Sequence, residues 1–416
     1  MKKQLFPLVL LALIGFITCE KQPGRIEMKS DSYTPTSIYR SYAEAHDWAE
    51  YSINLLDQTN TKSSKTRELE LGICYAVPST RSVENNGIDT LIYVFNFKNN
   101  EGFSIIAANK NTPPLVAVVE SGHYVPGEAT GVAPFDLMIR RTLDVIESHD
   151  SLPELPHHYY DYYELKDSCN ARLITKWGQT GVYGKYCSNG ISGCVATALG
   201  QIMAYKQFPP SIVATVAMGN DYAVGDTIAL NWNNINEHII NHPGIVQSCD
   251  NVHNQIGALL REIGDLVNMT YGENGSSAYV SNATIALDSF GYTYSQYSDA
   301  SVSEMKLSIK DGCPVLMRGQ TDNLEGHAWV ADGYKDFEYW RQVFIAGPFG
   351  FYRPGPTVMY ASTKLIHINW GWDGVCNGYF AFNSYNTAEG ELYDGTSNYA
   401  SYDFANVVKM IAGITH

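Results

Sequence analysis

Charge is scarce in this sequence, and positive charge is scarcer than negative. Only 17% of the 416 residues are charged, and 28 Lys and Arg stand against 43 Asp and Glu, which gives a formal net charge of −15. Nucleic-acid-binding domains concentrate Lys and Arg on one face, and no basic run or basic-aromatic interleaving occurs here. The composition therefore argues against a nucleic-acid partner.

Metal-binding and repeat patterns are also missing. The chain has eight cysteines, but no CxxC pair and no Cys/His cluster with the spacing of a zinc site. No internal repeat or low-complexity tract is visible. We therefore predict a protein without a metal or a cofactor, and we leave the pairing of its cysteines open.

Long hydrophobic runs are absent except at the start of the chain. A basic Met1-Lys2-Lys3 is followed by an apolar run to Thr18 and then by Cys19, which is typical of an export signal and too short to span a bilayer comfortably. Cys19 also resembles the acylation site of bacterial lipoproteins; an ordinary cleaved signal is the alternative. We expect residues 1–19 to direct export and residues 20–40 to form a tether, with the protein secreted or attached to the surface or outer membrane of a bacterium.

The remaining chain has the composition of a globular protein, with 45% hydrophobic and 12% aromatic residues. Its periodicity predicts an α+β fold in two units: 41–165, including a Pro-rich junction, and 166–416. For the first unit we expect helices over 41–56 and 133–148, a hairpin of 91–97 and 103–108, and a strand over 115–119. For the second we expect helices over 194–206, 254–267 and 301–311, followed by short antiparallel strands at 314–318, 327–331, 365–369 and 378–382.

Cys194 opens the first predicted helix of the second unit, after Ser192 and Gly193. A thiol in the first turn of a helix feels the positive end of the helix dipole and unpaired N–H groups, which favour the thiolate nucleophile. The same N–H groups can receive an oxyanion, and Ser192 could cap the helix. A buried, inert cysteine is the alternative interpretation.

A cysteine nucleophile requires a base, and His327 opens a strand-like run far along the chain from Cys194. Asn369, followed by Trp370, could orient the imidazole and shield it from water. The carboxamide of Gln179 could complete an oxyanion hole. Each of these residues also has an ordinary structural interpretation when it is considered alone.

Six sequence blocks occur in the order seen in streptopain-type cysteine peptidases, and the chain is identified by them as resembling that family over about residues 170–400. The blocks are Trp177-Gly178-Gln179, Gly193 to Ala198, Gln201-Ile202-Met203, Asn231 to Ile235, Gly326-His327-Ala328 and Asn369 to Trp372. The resemblance implies a papain-like fold, in which a mostly helical half carries the cysteine and a sheet half carries the histidine.

The resemblance also implies roles for individual residues. Cys194 would be the nucleophile, His327 the base and Gln179 the oxyanion donor. Asn369 and Trp370 would orient and cover the histidine. Residues on the substrate side would be Trp372, lining the leaving-group side, and Ser277 and Gly326, bonding the peptide backbone.

The first unit resembles the inhibitory propeptide of the same family, through Tyr93 to Phe97 and Gly102 to Ala107. The expected partners are thus a protein or peptide substrate, the chain's own prodomain as inhibitor and, through a lipid on Cys19, a membrane. Cleavage of the zymogen is expected between Asp150 and Arg172. The aromatic, Pro-rich segment 337–361 has the character of an insertion that extends a hairpin beside the cleft.

Two other functions remain open at this point. One is a cell-wall amidase or a transglutaminase-like acyl transferase, because these enzymes also pair Cys with His. The other is a non-catalytic protein that inhibits or binds peptidases. The prodomain-like hairpin and the Trp177-Gly178-Gln179 block count against the first, and the presence of both Cys194 and His327 counts against the second.

Overall fold

The structure is a computed structural model, and it describes residues 25–26, 39–57, 67–78, 90–110, 112–148, 159–241, 251–273, 275–320, 326–346, 352–381 and 408–416. The expected export segment with Cys19 and most of the expected tether lie outside these ranges. None of the helices in the described ranges has the length and apolar character needed to cross a membrane.

The first unit contains two helices and four strands. Its elements are α1 (Tyr42–Asp57), β2 (Leu69–Pro78), β3 (Thr90–Phe97), β4 (Phe103–Ala107), β5 (Leu115–Val119) and α2 (Ala133–Ser148), after a short β1 (Arg25–Ile26). At the start of α1, Ser41 and Glu44 bond reciprocally through side chain and backbone, which is the capping box that fixes a helix start. Apolar residues spaced along one side of α1 are buried, among them Ala45, Trp48, Ala49 and Ile53.

The second unit places its helices before its long strands. The helices are α3 (Cys194–Lys206), α4 (Trp232–Asn241), α5 (Asn251–Leu266), α6 (Ala283–Ser289) and α7 (Val302–Lys310). The strands are β6 (Tyr159–Cys169), β7 (Ser211–Val213), β8 (Thr227–Ala229), β9 (Thr270–Gly272), β10 (Gly275–Ser277), β11 (Ser298–Asp299), β12 (Val315–Gln320), β13 (Gly326–Ala346), β14 (Tyr352–Asn369), β15 (Gly378–Ala381) and β16 (Lys409–Ile411). The predicted α+β class, with a helical half and an antiparallel sheet half, is confirmed.

One sheet runs through both units. Its strand order is β11-β16-β12-β13-β14-β15-β5-β4-β3-β2. The two units join where β15 pairs with β5, with Phe380 opposite Ala117 and Gly378 opposite Val119. The sequence predicts the strands on both sides but not this junction, because edge-to-edge pairing leaves no periodic signal. The strands of the first unit therefore extend the sheet that carries His327.

The described parts of the aromatic segment, 337–346 and 352–361, lie in the outer halves of the paired strands β13 and β14. The same half of β13 pairs with β6, from Val343 opposite Tyr159 to Tyr334 opposite Cys169. The expected boundary between residues 165 and 166 falls inside β6. Because the whole of β6 is paired with β13, the strand belongs with the second unit.

The outer halves of these strands pack against α1 of the first unit. Trp48 and Tyr51 of α1 contact Tyr163 of β6 with tilted rings, at ring-centroid distances of 4.7 and 4.9 Å. Phe337 and Tyr339 of β13 are buried in the same cluster. The described part of the segment expected to lie beside the cleft thus packs against α1 of the first unit.

Candidate active site

Gly193 sets the geometry at the start of α3. Its backbone has φ 86° and ψ 148°, a conformation that residues with a Cβ rarely adopt. A Cβ at this position would also lie 2.8 Å from the side chain of Met269 and 3.2 Å from Cβ of Ser276. Ser192 does not cap the helix as expected; its hydroxyl instead contacts the carbonyl of Gln179 and the hydroxyl of Thr197.

Cys194 is a free cysteine with its thiol at the N-terminus of α3. Burial raises the pKa of the thiol, and hydrogen bonds from the backbone N–H groups of Ala328, Val195 and Cys194 itself act in the opposite direction. Ala328 is the residue after His327, so this contact brings the start of α3 against the start of β13. Residues widely separated along the chain thereby meet at one point.

His327 is held from one side by the main chain. Its Nε2 lies 2.9 Å from the carbonyl oxygen of Trp370. Because a carbonyl can only accept, this bond places the imidazole hydrogen on Nε2 and leaves Nδ1 as the basic nitrogen. Burial lowers the pKa of His327 to about 4. The thiol and the imidazole are therefore both neutral near pH 7 in this enclosed state.

Tryptophans surround the imidazole. The ring of Trp372 lies 4.5 Å from that of His327, and the rings of Trp329 and Trp370 lie at 6.2 and 6.5 Å. Trp370 is buried and its indole N–H donates to the carbonyl of Cys376. These contacts fix the position of the histidine and limit its access to water.

Asn369 occupies a different position from the one expected. Its carboxamide pairs reciprocally with that of Gln201, at 3.1 Å in both directions, and donates to the carbonyl of Thr175 at 2.8 Å. Gln201 also accepts from the backbone N–H of Trp177. The acceptor that orients His327 is thus the carbonyl of Trp370, and Asn369 joins α3, β14 and the segment before Gln179.

This arrangement predicts the effect of Asn369→Ala. The substitution leaves buried polar partners on Gln201 and Thr175 unsatisfied, at a cost of about 2–3 kcal/mol, so the free energy of unfolding should fall by that amount. The acidic limb of the pH profile of kcat/KM should keep its midpoint, because His327 retains its Trp370 acceptor. Chemical denaturation and the pH profile check both. The exposed Asn233→Ala variant is the control and should change neither; a shifted acidic limb in Asn369→Ala would contradict the assignment.

The other predicted residues lie on the loops around Cys194. The carbonyl of Gln179 accepts from the N–H of Ser192 at 2.8 Å, and its partly exposed carboxamide has no hydrogen bond to any residue that the structure describes. Ser277 is exposed at the end of β10. The preceding Ser276 donates to the carbonyl of Ile191 at 2.7 Å, which ties this hairpin to the loop before Cys194. Gly326 is exposed beside His327.

A series of aromatic contacts connects α2 of the first unit with the tryptophans around His327. Phe135 of α2 contacts Phe380 at 6.0 Å, and Phe380 contacts Trp370 at 5.7 Å. Trp370 in turn contacts Trp329 at 5.4 Å. Through Phe380, Phe135 therefore belongs to the same hydrophobic cluster as Trp370 and Trp329. Periodicity predicts α2 but not the face of the other unit that it contacts.

A buried group of charges crosses the same interface. Nδ1 of His367 lies 2.6 Å from Asp332, and its Nε2 lies 3.2 Å from Glu120 at the end of β5. Burial alone would lower the pKa of His367, but the two carboxylates raise it to about 10. Burial would likewise raise the pKa of Glu120, but His367, helped by Lys176 and Arg67, lowers it to about 2. Sequence analysis missed this group because no local pattern links its members.

These shifts predict how stability depends on pH. The raised pKa of His367 stabilises the fold fully below its unfolded value of 6.5, and this contribution is lost as pH rises through about 10. The depressed pKa of Glu120 stabilises the fold above 4.5, and this contribution is lost as pH falls through about 2. Denaturant unfolding of the full chain should show the largest contribution of the pair between pH 4.5 and 6.5.

Histidine NMR checks the same assignment directly. In the full chain His367 should remain charged at pH 8, and His327 should remain neutral at pH 6. A neutral His367 at pH 8 would show that the buried charges do not form as described.

Three side chains in the described ranges, His46, Asp47 and Glu50, bring possible metal-ligand atoms within 4.8 Å of one another. They lie on α1, and two of them are exposed.

Two known families match the chain. Residues 177–380 match the peptidase C10 family, and residues 38–132 match the Spi protease inhibitor family. The first match contains Gln179, Cys194 and His327, and the second contains α1 and β2 to β5. The Spi match lies in the first unit, called the inhibitor-like unit below, and the C10 match lies in the second unit, called the peptidase unit.

The chain is also similar to individual known proteins. The chain is 25% identical to streptopain of Streptococcus pyogenes over 355 residues, covering 76% of this chain and 80% of that protein. It is 23% identical to the thiol protease/hemagglutinin PrtT of Porphyromonas gingivalis over 363 residues, covering 78% of this chain and 37% of that protein. It is also similar to a solved fragment of Prevotella intermedia prointerpain A, with a TM-score of 0.49, 20% identity, and coverage of 84% of this chain and 99% of that fragment.

Proposed function

We propose that this cysteine-type peptidase, whose residues 177–380 match the peptidase C10 family, is the zymogen of an endopeptidase that acts through a Cys194–His327 dyad. The unit that matches the Spi protease inhibitor family is the inhibitory part of this zymogen. The observation that carries this proposal is the contact between the thiol and the N–H of Ala328, next to His327. No other free cysteine in the described ranges combines a helix N-terminus with a neighbouring histidine.

The first chemical step is attack on a peptide carbonyl. Nδ1 of His327 accepts the thiol proton, since its Nε2 is bonded to the carbonyl of Trp370. The thiolate forms a bond to the carbonyl carbon, and the carbonyl oxygen takes up the negative charge. The N–H of Cys194 and the unpartnered carboxamide of Gln179 are the donors available to stabilise that oxyanion.

The second step is collapse to a thioacyl-enzyme. The carbon–nitrogen bond breaks, and protonated His327 gives its proton to the departing amine. Water then enters, loses a proton to Nδ1 of His327 and attacks the thioester, which releases the carboxylic acid and restores the thiol. Trp372, against the imidazole, lines the side from which the amine leaves, while Gly326 and Ser277 are exposed where a substrate backbone can bond.

The closed state described above supports latency of the full chain. The thiol and imidazole are neutral there, and the inhibitor-like unit shares a hydrophobic cluster with the tryptophans around His327. Opening to water and substrate would favour charge transfer between them, because burial is what holds both groups neutral. We expect maturation to cut outside 159–169, since β6 is paired with β13 and a peptidase needs an unpaired, extended segment. Export and a lipid on Cys19 remain part of the proposal.

The experiment is hydrolysis of casein and of an internally quenched peptide by the processed chain, with and without a thiol-directed epoxide. We expect peptide cleavage, its loss on alkylation, and an adduct on Cys194. Activity on peptidoglycan fragments with none on casein would favour the amidase alternative. An unreactive Cys194 in the processed chain would favour a non-catalytic binding protein.

A further inference from the structure

Asp373 lies in the tight loop between β14 and β15, directly after Trp372. Its backbone N–H donates to the carbonyl of Trp177 at 3.2 Å, which joins this loop to the segment that carries Gln179. A Cβ on Gly178 would lie 2.4 Å from both carboxylate oxygens of Asp373. The absence of a side chain at Gly178 therefore makes the space that this carboxylate occupies.

The carboxylate has no cationic partner among the residues that the structure describes. It is partly enclosed, and burial raises its pKa. The nearest basic residue on the facing segment, Lys176, extends past Gly374 toward Glu120, with Nζ 3.8 Å from its carboxylate. The other titratable neighbour is the phenol of Tyr183, whose pKa is raised chiefly by burial and further by Asp373. Asp373 as a whole residue is exposed to solvent, while its carboxylate is partly enclosed and has no cationic partner in the described ranges.

The position of this charge relative to the dyad is defined by its neighbours. Trp372, one residue earlier, contacts the ring of His327 at 4.5 Å. On the other side, Gly178 is followed by Gln179, the candidate oxyanion donor. The carboxylate therefore lies between the segment that carries Trp372 and the segment that carries Gln179. In the proposed mechanism, Trp372 lines the side from which the amine product departs.

We propose that Asp373 is a specificity-determining residue that favours a Lys or Arg side chain on the first residue of the leaving peptide. The inference rests on the proposed peptidase function. A partly enclosed carboxylate attracts a cationic side chain over a few ångströms, and no cationic side chain in the described ranges competes for it. A neutral side chain gains nothing from this charge, and an acidic one is repelled.

The test uses two quenched peptides that differ only in having Lys or Gln after the cleaved bond. The full chain is allowed to mature, and rates are normalised to titrated active sites. We expect the wild type to show a kcat/KM for the Lys peptide about threefold to tenfold above that for the Gln peptide, and the preference to shrink at high salt. In Asp373→Asn the ratio should fall to near one. Asp311→Asn, which removes an exposed carboxylate elsewhere, should keep the wild-type ratio.

Each other result has a defined meaning. An unchanged ratio in Asp373→Asn, or no preference in the wild type, would overturn the assignment while leaving the peptidase function intact. Loss of hydrolysis of both peptides in Asp373→Asn alone would show that the carboxylate supports the loop, and would also overturn it. Failure of the wild type to cleave either peptide, or casein, would instead contradict the proposed function.

Discussion

Replacing Cys194 with Ala should reduce kcat/KM for peptide hydrolysis by a factor on the order of 10⁴ or more, because no covalent intermediate can form. The methyl group of Ala fits the space of the thiol at the start of α3, and the backbone donors of Cys194 and Val195 are kept. The fold should therefore be unchanged. Rates on a quenched peptide, together with far-UV circular dichroism, check both parts of the prediction.

The control for this substitution is Cys187→Ala. Cys187 is a free, buried cysteine in the loop that precedes α3, but no histidine contact is recorded for it among the described residues. Its replacement should cost some packing energy and leave kcat/KM within a few-fold of the wild type. Comparable losses in both variants would mean that the effect of Cys194→Ala is structural.

Replacing Glu120 with Gln should release the inhibitor-like unit. Removing one partner of a buried ion pair costs about 3–5 kcal/mol, and the lower end applies because His367 keeps Asp332. A loss of about 3 kcal/mol corresponds to roughly a hundredfold change in an equilibrium constant. In the uncleaved full chain, the alkylation rate of Cys194 should therefore rise by about a hundredfold, because the open state becomes more populated.

The matched control is Glu68→Gln in the same unit. Glu68 is exposed and pairs with Lys98 on the surface, where ion pairs contribute little. Its alkylation rate should equal that of the wild type. Equal rates in Glu120→Gln and the wild type would mean that the buried charges do not hold the inhibitor-like unit closed.

Local patterns predict much of the fold. The bounds of α2 and α3 and of β5 are those expected, because apolar spacing and helix-ending prolines are encoded within each element. The sequence predicts that segment 337–361 extends a hairpin, but it does not predict that this part of β13 also pairs with β6. The pairing of β15 with β5 is also missed, because register between distant strands depends on tertiary packing.

The candidate site, like the fold, is only partly predictable from the sequence. Cys194, His327 and Gln179 are predicted as site residues because helix position, residue type and family resemblance coincide there. The role given to Asn369 differs from its observed contacts, since either a side-chain amide or the next carbonyl can orient an imidazole. Glu120 and His367 could not be found from sequence, because two isolated charged residues have meaning only after folding places them together.

The central claim is that Cys194 becomes acylated during turnover, and intact-mass analysis tests it most directly. The processed enzyme is mixed with an activated peptide ester, quenched in acid within milliseconds and digested for peptide mapping. We predict one acyl group per molecule on Cys194, with little or none in His327→Ala at the same time point. Continued hydrolysis without an adduct, or an adduct on another residue with Cys194 unmodified, would contradict the account.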